Sequence, residues 1–429
     1  MRRLAGTALL IVLAALPAAA RAADPLRPKQ WNLDMIEADA AHEISTGKGA
    51  VVAVVDSGVH LSHPDLQGQL LPGRDFVDGD ARPQDGDGHG THVAGIVAAR
   101  SGNGEGVESV APGARILPLR VLDDKGRGFT EAVVSAIDYA AAQGADVINL
   151  SLSSTLPIIG DLLDPSFAQA IRRALDRGIV VVVVAGNSGL PVCESPTAEG
   201  RVLCVGAVDR HGRRAGYSSF GLGLGLMAPG GSASGAAGDD ILSTHLRPLY
   251  REMAGTSQAA PHVAGVAALL AGRGIRGQDA VRRILATATD AGWPGPDPEY
   301  GAGIVNARRA VEGLPPEPSE APAQAPQASV PPGSAVRVSV PRRQRLRTVL
   351  RRGLLVRCRA AGSGRCFVSL RLRGRKVGSG AARVRIGRTS SLRVRIRGRA
   401  RRSLRRGTRL RVTVKAPGAR AVHRTVVLR

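Results

Sequence analysis

Between Trp31 and Gly313, solid apolar runs alternate with segments of helical spacing. Residues 50–55, 147–150 and 179–185 are short, unbroken and rich in β-branched side chains. Strands covered on both faces of a parallel sheet have this pattern. Between them, residues 130–143 and 166–177 repeat apolar positions at helical intervals. The second of these closes with Arg172, Arg173 and Arg177 before Gly178, which suits a helix C-terminus. The alternation predicts an α/β fold with a doubly wound, mainly parallel sheet and helices on both faces. The pattern changes after Gly313. Residues 314–333 contain seven prolines and predict an extended, semi-stiff linker. Beyond them, residues 336–340, 368–373, 384–386, 392–397 and 410–414 alternate apolar with polar or basic positions, the period of a half-buried strand. A small all-β, sandwich-like domain over 334–429 follows.

Charge sharpens that division. Residues 334–429 carry 31 of the 59 Lys and Arg and no Asp or Glu, so the other 28 stand against all 35 acidic residues in 1–333, a net of −7 there. Two bodies of opposite sign share one chain. Four cysteines among 429 residues exclude a disulfide-framed mini-protein. No apolar run after the first twenty residues is long enough to span a bilayer. Residues 1–22 have the layout of a secretory signal: Arg2 and Arg3, an apolar stretch over 9–20, then Ala20-Arg21-Ala22. Export, to the medium or the cell envelope, is the expectation. The predicted organisation is a signal at 1–22, a catalytic domain at 23–313, a linker at 314–333 and an Arg-rich β domain at 334–429.

Three segments carry candidate chemistry. Asp56 ends the apolar run Val54-Val55-Asp56, and in open α/β sheets functional residues collect at the carboxyl ends of strands. His89 lies in the glycine-flanked turn Asp87-Gly88-His89-Gly90-Thr91-His92, which runs into a helix. Ser257 stands in Gly255-Thr256-Ser257, where a tight turn becomes a second helix, so that free N–H groups favour negative charge beside it. Pro261 is expected to fall among first-turn residues that lack an intrahelical partner. Each segment alone has a plain structural reading as a cap or turn. The combination is harder to explain that way.

In that order the three segments resemble the subtilisin-like serine peptidases over about residues 31–312. The resemblance implies the subtilisin-like type of sheet and a serine endopeptidase acting on proteins or peptides. It assigns Ser257 as nucleophile, His89 as general base and Asp56 as the group that orients the imidazole, with His92 structural. It also implies that Asn187, in Gly186-Asn187-Ser188 after an apolar strand, forms an oxyanion hole with the Ser257 amide. Ser151, Leu152 and Ser153, with Gly186, match the strand and rim that bind substrate. Residues 63–66 (HPDL) and 300–306 (YGAGIVN) match further family segments. Two positions depart: Gln258 stands where Met is common, and Ser153 where Gly is usual.

Cys193 and Cys204 bracket a ten-residue loop, and in an exported protein a disulfide across it is expected. Cys358 and Cys366 are close enough in sequence to staple two edges of the β domain. The acidic stretch 75–87 offers oxygen ligands of the kind calcium takes. The resemblance places Asp75, Asp80 and Gln84 at side-chain ligand positions of a structural calcium, with a solvated acidic turn as the alternative. No cofactor is required for the chemistry. The basic tail predicts binding to anionic cell-envelope polymers. Sequence-specific nucleic-acid reading is not expected, because Phe367 is the tail's only aromatic residue. The chain is read as a monomer. A catalytically latent envelope-binding protein on a protease fold is the alternative, and the presence of Asp56, His89, Ser257 and Asn187 together favours the active enzyme.

Overall fold

A computed structural model describes residues 23–152, 165–195, 200–315, 317, 337–339, 341, 343–359, 364–372, 375–384, 389–396, 403–415 and 422–429. The chain divides into two compact units between Pro318 and Ser319. In the first, strands β1 (Val51–Asp56), β2 (Arg74–Asp75), β3 (Arg115–Arg120), β4 (Val147–Leu150), β5 (Val180–Val184), β6 (Leu203–Val208) and β7 (Leu226–Pro229) form one sheet. Its seven strands lie in the order β2-β3-β1-β4-β5-β6-β7, and every neighbouring pair is parallel. A separate hairpin pairs β8 (Ile241–Thr244) with β9 (Tyr250–Met253).

The solid apolar runs are explained by the two cores. Val52 and Val54 of β1, with Val180, Val182 and Val184 of β5, enter the core on one face. Ala53 and Val55, with Val181 and Val183, enter the core on the other. Successive side chains alternate between faces, and both faces are dry. Of the helices, α1 (Trp31–Met35), α2 (Ala38–His42) and α3 (His89–Ala98) supply the first core. The second receives α4 (Thr130–Gln143) and α5 (Pro165–Leu175). The long helix α6 (Thr256–Gly272) is buried along nearly its whole length, and its apolar surface extends all round for that reason. Two more helices, α7 (Gly277–Ala286) and α8 (Ala307–Val311), complete this layer. The body reaches into the stretch read as linker: the Glu317 carboxylate accepts hydrogen bonds from Thr46 N (2.9 Å), Thr46 Oγ1 (2.8 Å) and Ser45 Oγ (2.9 Å).

Among the described residues, the second unit has two sheets and one helix, α9 (Leu346–Arg352). Strands β10 (Arg337–Ser339), β12 (Leu354–Arg359) and β15 (Thr389–Val394) make one sheet. The other contains β11 (Arg343–Gln344), β17 (Val422–Leu428), β16 (Arg409–Lys415), β13 (Gly364–Leu372) and β14 (Arg375–Val384). Leu354, Val356 and Val394 of the first share a core with Leu370, Val412 and Val426 of the second. Between those inward residues the register sets Arg411 opposite Arg371, and Arg371 opposite Lys376. Arg371, Arg409 and Arg411 are exposed. Among the described residues, no helix is long and apolar enough to cross a membrane. Residues 1–22 lie outside the described residues.

Candidate active site

β1 delivers Asp56 fully buried, and its Oδ1 accepts hydrogen bonds from Ser57 N (2.7 Å) and His89 Nδ1 (2.8 Å). His89 is the first residue of α3, and the turn before it is shaped by a residue the motif reading passed over. Asp85 is buried; its Oδ1 accepts Ser57 Oγ (2.9 Å), Asp87 N (3.0 Å) and Gly88 N (2.9 Å). Its Oδ2 takes Thr91 N (2.9 Å) and Thr91 Oγ1 (2.5 Å). One carboxylate thus caps the opening of α3 and ties it to the end of β1. The signal for it was present, as an acidic residue four positions before His89. Gly90 is required by close approach, since a Cβ there would lie 2.2 Å from Gly58 O and 3.0 Å from Asp56 Cβ.

Electrostatics separates the two histidines of this helix. Burial pulls His89 down, but the Asp56 charge and hydrogen bond, reinforced by Asp87 and Asp85, more than offset it. The imidazole is held above its ordinary 6.5. Burial dominates at His92, which is pushed down to about 3 and stays neutral, with Nε2 shared between Ile241 O (3.0 Å) and Arg251 O (2.9 Å). With Asp56 at Nδ1, neutral His89 keeps its proton there and presents Nε2 as an acceptor.

Ser257 is the second residue of α6. Its hydroxyl donates to Ser151 O (3.3 Å), and no hydrogen bond joins it to His89 among the described residues. Ser151 Oγ returns a bond to Ser257 O (3.0 Å) and itself receives Asn149 Nδ2 (2.9 Å). Pro261 corrects an expectation. It stands in the second turn, not the first, and it is the residue whose amide would have met Ser257 O. Ser151 supplies the missing donor. Asn187 follows β5; its Oδ1 accepts Thr256 N and Thr256 Oγ1, both at 2.9 Å, which fixes the amide plane and frees Nδ2 to face the other way. A methyl added at Gly255 would sit 3.5 Å from Asn187 Nδ2 and 3.6 Å from Ser257 N, so the two donors border one space that glycine leaves open. Leu152 follows Ser151 at the end of β4; Ser153 lies outside the described residues.

A chain with this parallel sheet is matched by known proteins. The family model of the subtilase family (peptidase S8) matches residues 47–303. The chain belongs to the subtilase family. Thermitase from Thermoactinomyces vulgaris is 40% identical over 284 residues, 66% of this chain and 96% of that one. Subtilisin BL from Lederbergia lenta is 38% identical over 66% of this chain and 98% of its own. A solved protease of Pseudoalteromonas arctica PAMC 21717 superposes with a TM-score of 0.60 at 34% identity, covering 68% of this chain and 98% of its own. This subtilase is therefore a serine-type endopeptidase. Enzymes of the family act on protein or peptide substrates, are typically secreted and need no cofactor for catalysis.

Cys193 and Cys204 form a disulfide that joins the segment after the Asn187 turn to β6. The side chains of Cys358, on β12, and Cys366, on β13, lie outside the described residues. In the acidic loop, a cation of the chain's own is present. Arg120 Nη1 meets Asp75 Oδ2 (2.9 Å) and Asp78 Oδ2 (3.0 Å), and Nη2 meets Asp124 Oδ1 (2.8 Å). Asp75 Oδ1 accepts the Val77 and Asp78 amides (2.8 and 2.9 Å), Asp80 Oδ1 the Arg82 amide (2.7 Å) and Gln84 Oε1 the Leu61 amide (3.4 Å). The five aspartates of 75–87 still outnumber the guanidinium groups of Arg82 and Arg120, so the donor chemistry fits a hard cation. Among the described residues, the group whose ligand atoms converge is instead Asp39, His42 and Glu108. Arg27 already answers its charge, 2.8 Å from Asp39 and 3.9 Å from Glu108.

Proposed function

We propose that this subtilase is an exported endopeptidase working through Asp56, His89 and Ser257, with Asn187 and the Ser257 amide as oxyanion donors. The observation that carries the proposal is the 2.8 Å bond from His89 Nδ1 to a fully buried Asp56 carboxylate, beside a serine at the start of a buried helix. A rotation about χ1 takes the Ser257 hydroxyl from Ser151 O to His89 Nε2 as substrate arrives. Nε2 then removes the hydroxyl proton while Oγ attacks the scissile carbonyl carbon. Asp56 stabilises the imidazolium that forms. Asn187 Nδ2 and Ser257 N receive the oxyanion, and losing one such donor costs about 3 kcal/mol, the size known for subtilisin itself. The imidazolium gives its proton to the leaving amine, which leaves an acyl group on Ser257. Water, activated by the same imidazole, hydrolyses that ester and restores the serine. Ser151, Leu152, Ser153 and Gly186 bind the substrate backbone.

Calcium held by Asp75, Asp80 and Gln84 would stiffen the loop before His89 and contribute nothing to bond-breaking. Export rests on residues 1–22. Retention at the envelope rests on the exposed arginines of the second unit.

The test compares casein hydrolysis by the full chain and by Ser257→Ala, each with and without a calcium chelator. The serine variant is expected to lose activity on the order of 10⁶-fold while keeping its fold. A thermal midpoint lowered by the chelator supports the calcium loop. Casein hydrolysis surviving in Ser257→Ala would refute the assignment of the nucleophile.

A further inference from the structure

Glu194 is a buried acid in a place where the reaction uses none. It is 4% exposed and stands beside Cys193, seven residues after Asn187. Its Oε1 accepts the Ser188 amide (3.0 Å) and the Ser219 hydroxyl, and its Oε2 accepts the Ser188 hydroxyl (3.1 Å). Its own amide donates to Ala185 O (2.7 Å), at the start of the same turn. Glu194 therefore grips the turn on both flanks of Asn187. Segment 217–220 is drawn into the arrangement through Gly189 N to Tyr217 O (2.8 Å), Ser219 N to Gly186 O (3.0 Å) and Phe220 N to Leu190 O (2.9 Å). The root of Glu194 is fixed as well, because the Cys193–Cys204 disulfide ties it to β6.

Gly186 shows how closely the two are fitted. Its φ is +105°, and a Cβ there would lie 2.3 Å from Glu194 Cδ and 2.7 Å from Glu194 Cβ. Asn187 itself is exposed, so no side-chain packing holds it. Only the Thr256 bonds to Oδ1 and the backbone of the turn set where Nδ2 lies. An oxyanion donor acts by being in place before charge develops, and a displacement of about 1 Å removes much of its worth.

We propose that Glu194 is the positioning residue of the oxyanion turn, holding Asn187 where its Nδ2 meets the tetrahedral intermediate. The inference rests on the oxyanion role proposed above for Asn187.

A double-mutant cycle on the full chain tests it, with kcat and KM measured on a peptide amide substrate for wild type, N187A, E194A, E194Q and N187A/E194A. E194A is expected to lower kcat about ten-fold with KM within about two-fold, because only part of the donor's worth is lost. E194Q, which can still bridge Ser188 and Ser219, is expected to keep most of the rate. In the N187A background, E194A should cost less than about two-fold, since the residue it positions is gone. An equal loss in both backgrounds, or a fall in thermal midpoint with kcat unchanged, would overturn the inference. Should E194A not fold, Glu194→Asp, one methylene too short to reach both serines, takes its place in the cycle with the same expected pattern. If N187A alone leaves kcat unchanged, the oxyanion assignment fails and this inference with it. If N187A loses kcat and E194A does not, this inference alone fails.

Discussion

At His89 burial and a neighbouring charge act in opposite directions, and the charge of Asp56 prevails, with Asp87 and Asp85 adding to it. The raised value has a kinetic sign. The base is active only when neutral, so kcat/KM should fall as pH drops through a point above 6.5, the ordinary histidine value. Asp56→Asn removes the main opposing charge and should move that limb downward as well as lowering the plateau; a pH profile of both enzymes checks it. For folding, the same shift favours protonated His89, so its contribution is complete below the unfolded pKa and is lost as pH rises through the folded one. A limb that stays in place in Asp56→Asn would contradict the electrostatic account. The placement of Asp56 and Asn187 at strand ends and of His89 and Ser257 at helix starts was legible in the sequence, because each sits in a short motif whose neighbours set its local geometry. Asp85 and Glu194 were not. Their role is to accept hydrogen bonds from several backbone amides and hydroxyls, and which donors meet depends on how the loops fold back.

The elements show the same contrast. The alternating core positions of β1 and β5 made parallel strands readable, because both faces of the sheet are buried and every residue but the terminal Asp56 is apolar. The start of α6 at Ser257 was legible, but Pro261 was placed one turn too early. Pro261 lies where Ser257 O would expect its intrahelical donor, and Ser151 Oγ fills that vacancy from just past the end of β4. Sequence spacing reveals a missing amide but not the distant hydroxyl that replaces it. Ser151→Ala should therefore lower stability by about 1 kcal/mol, the net worth of one hydrogen bond. In Pro261→Ala, where residue 261 regains an N–H, the same substitution should cost distinctly less. Thermal melts of the two single variants and the double variant measure this coupling. Additive losses would show that the two residues do not share the carbonyl. The acidic loop taught a related lesson: oxygen donors at short spacing could be read, but Arg120, some forty residues on, could be placed among them only by β3 pairing with β2.

On the scale of the whole molecule, the separation of charge asks for a partner. Arg411 opposes Arg371 and Arg371 opposes Lys376 across three strands, while Arg343 and Arg409 both pair with Val427 one step away. Like charges directly opposite on a sheet are destabilising, and residues 334–429 contain no Asp or Glu. Neighbouring strands lie about 4.8 Å apart, well inside the screening length of about 8 Å at physiological ionic strength. On an anionic ligand, the exposed Arg371, Arg409 and Arg411 would act as one patch. Of the 31 basic residues in this segment 29 are arginine, whose planar fork pairs with phosphate or carboxylate oxygens through two parallel hydrogen bonds. A flexible polyanion without aromatic rings suits such a face better than one that must be read by stacking. Full-length Ser257→Ala, used so that the protein does not digest itself, should be retained on immobilised anionic cell-wall polymer and released as salt rises. The fall in affinity should be linear on logarithmic axes, as expected when bound counterions are displaced. Replacing Arg371 and Arg411 with serine in the same chain should shift elution to lower salt. Retention indifferent to salt, or unaltered by the two substitutions, would refute a tether built on this sheet face.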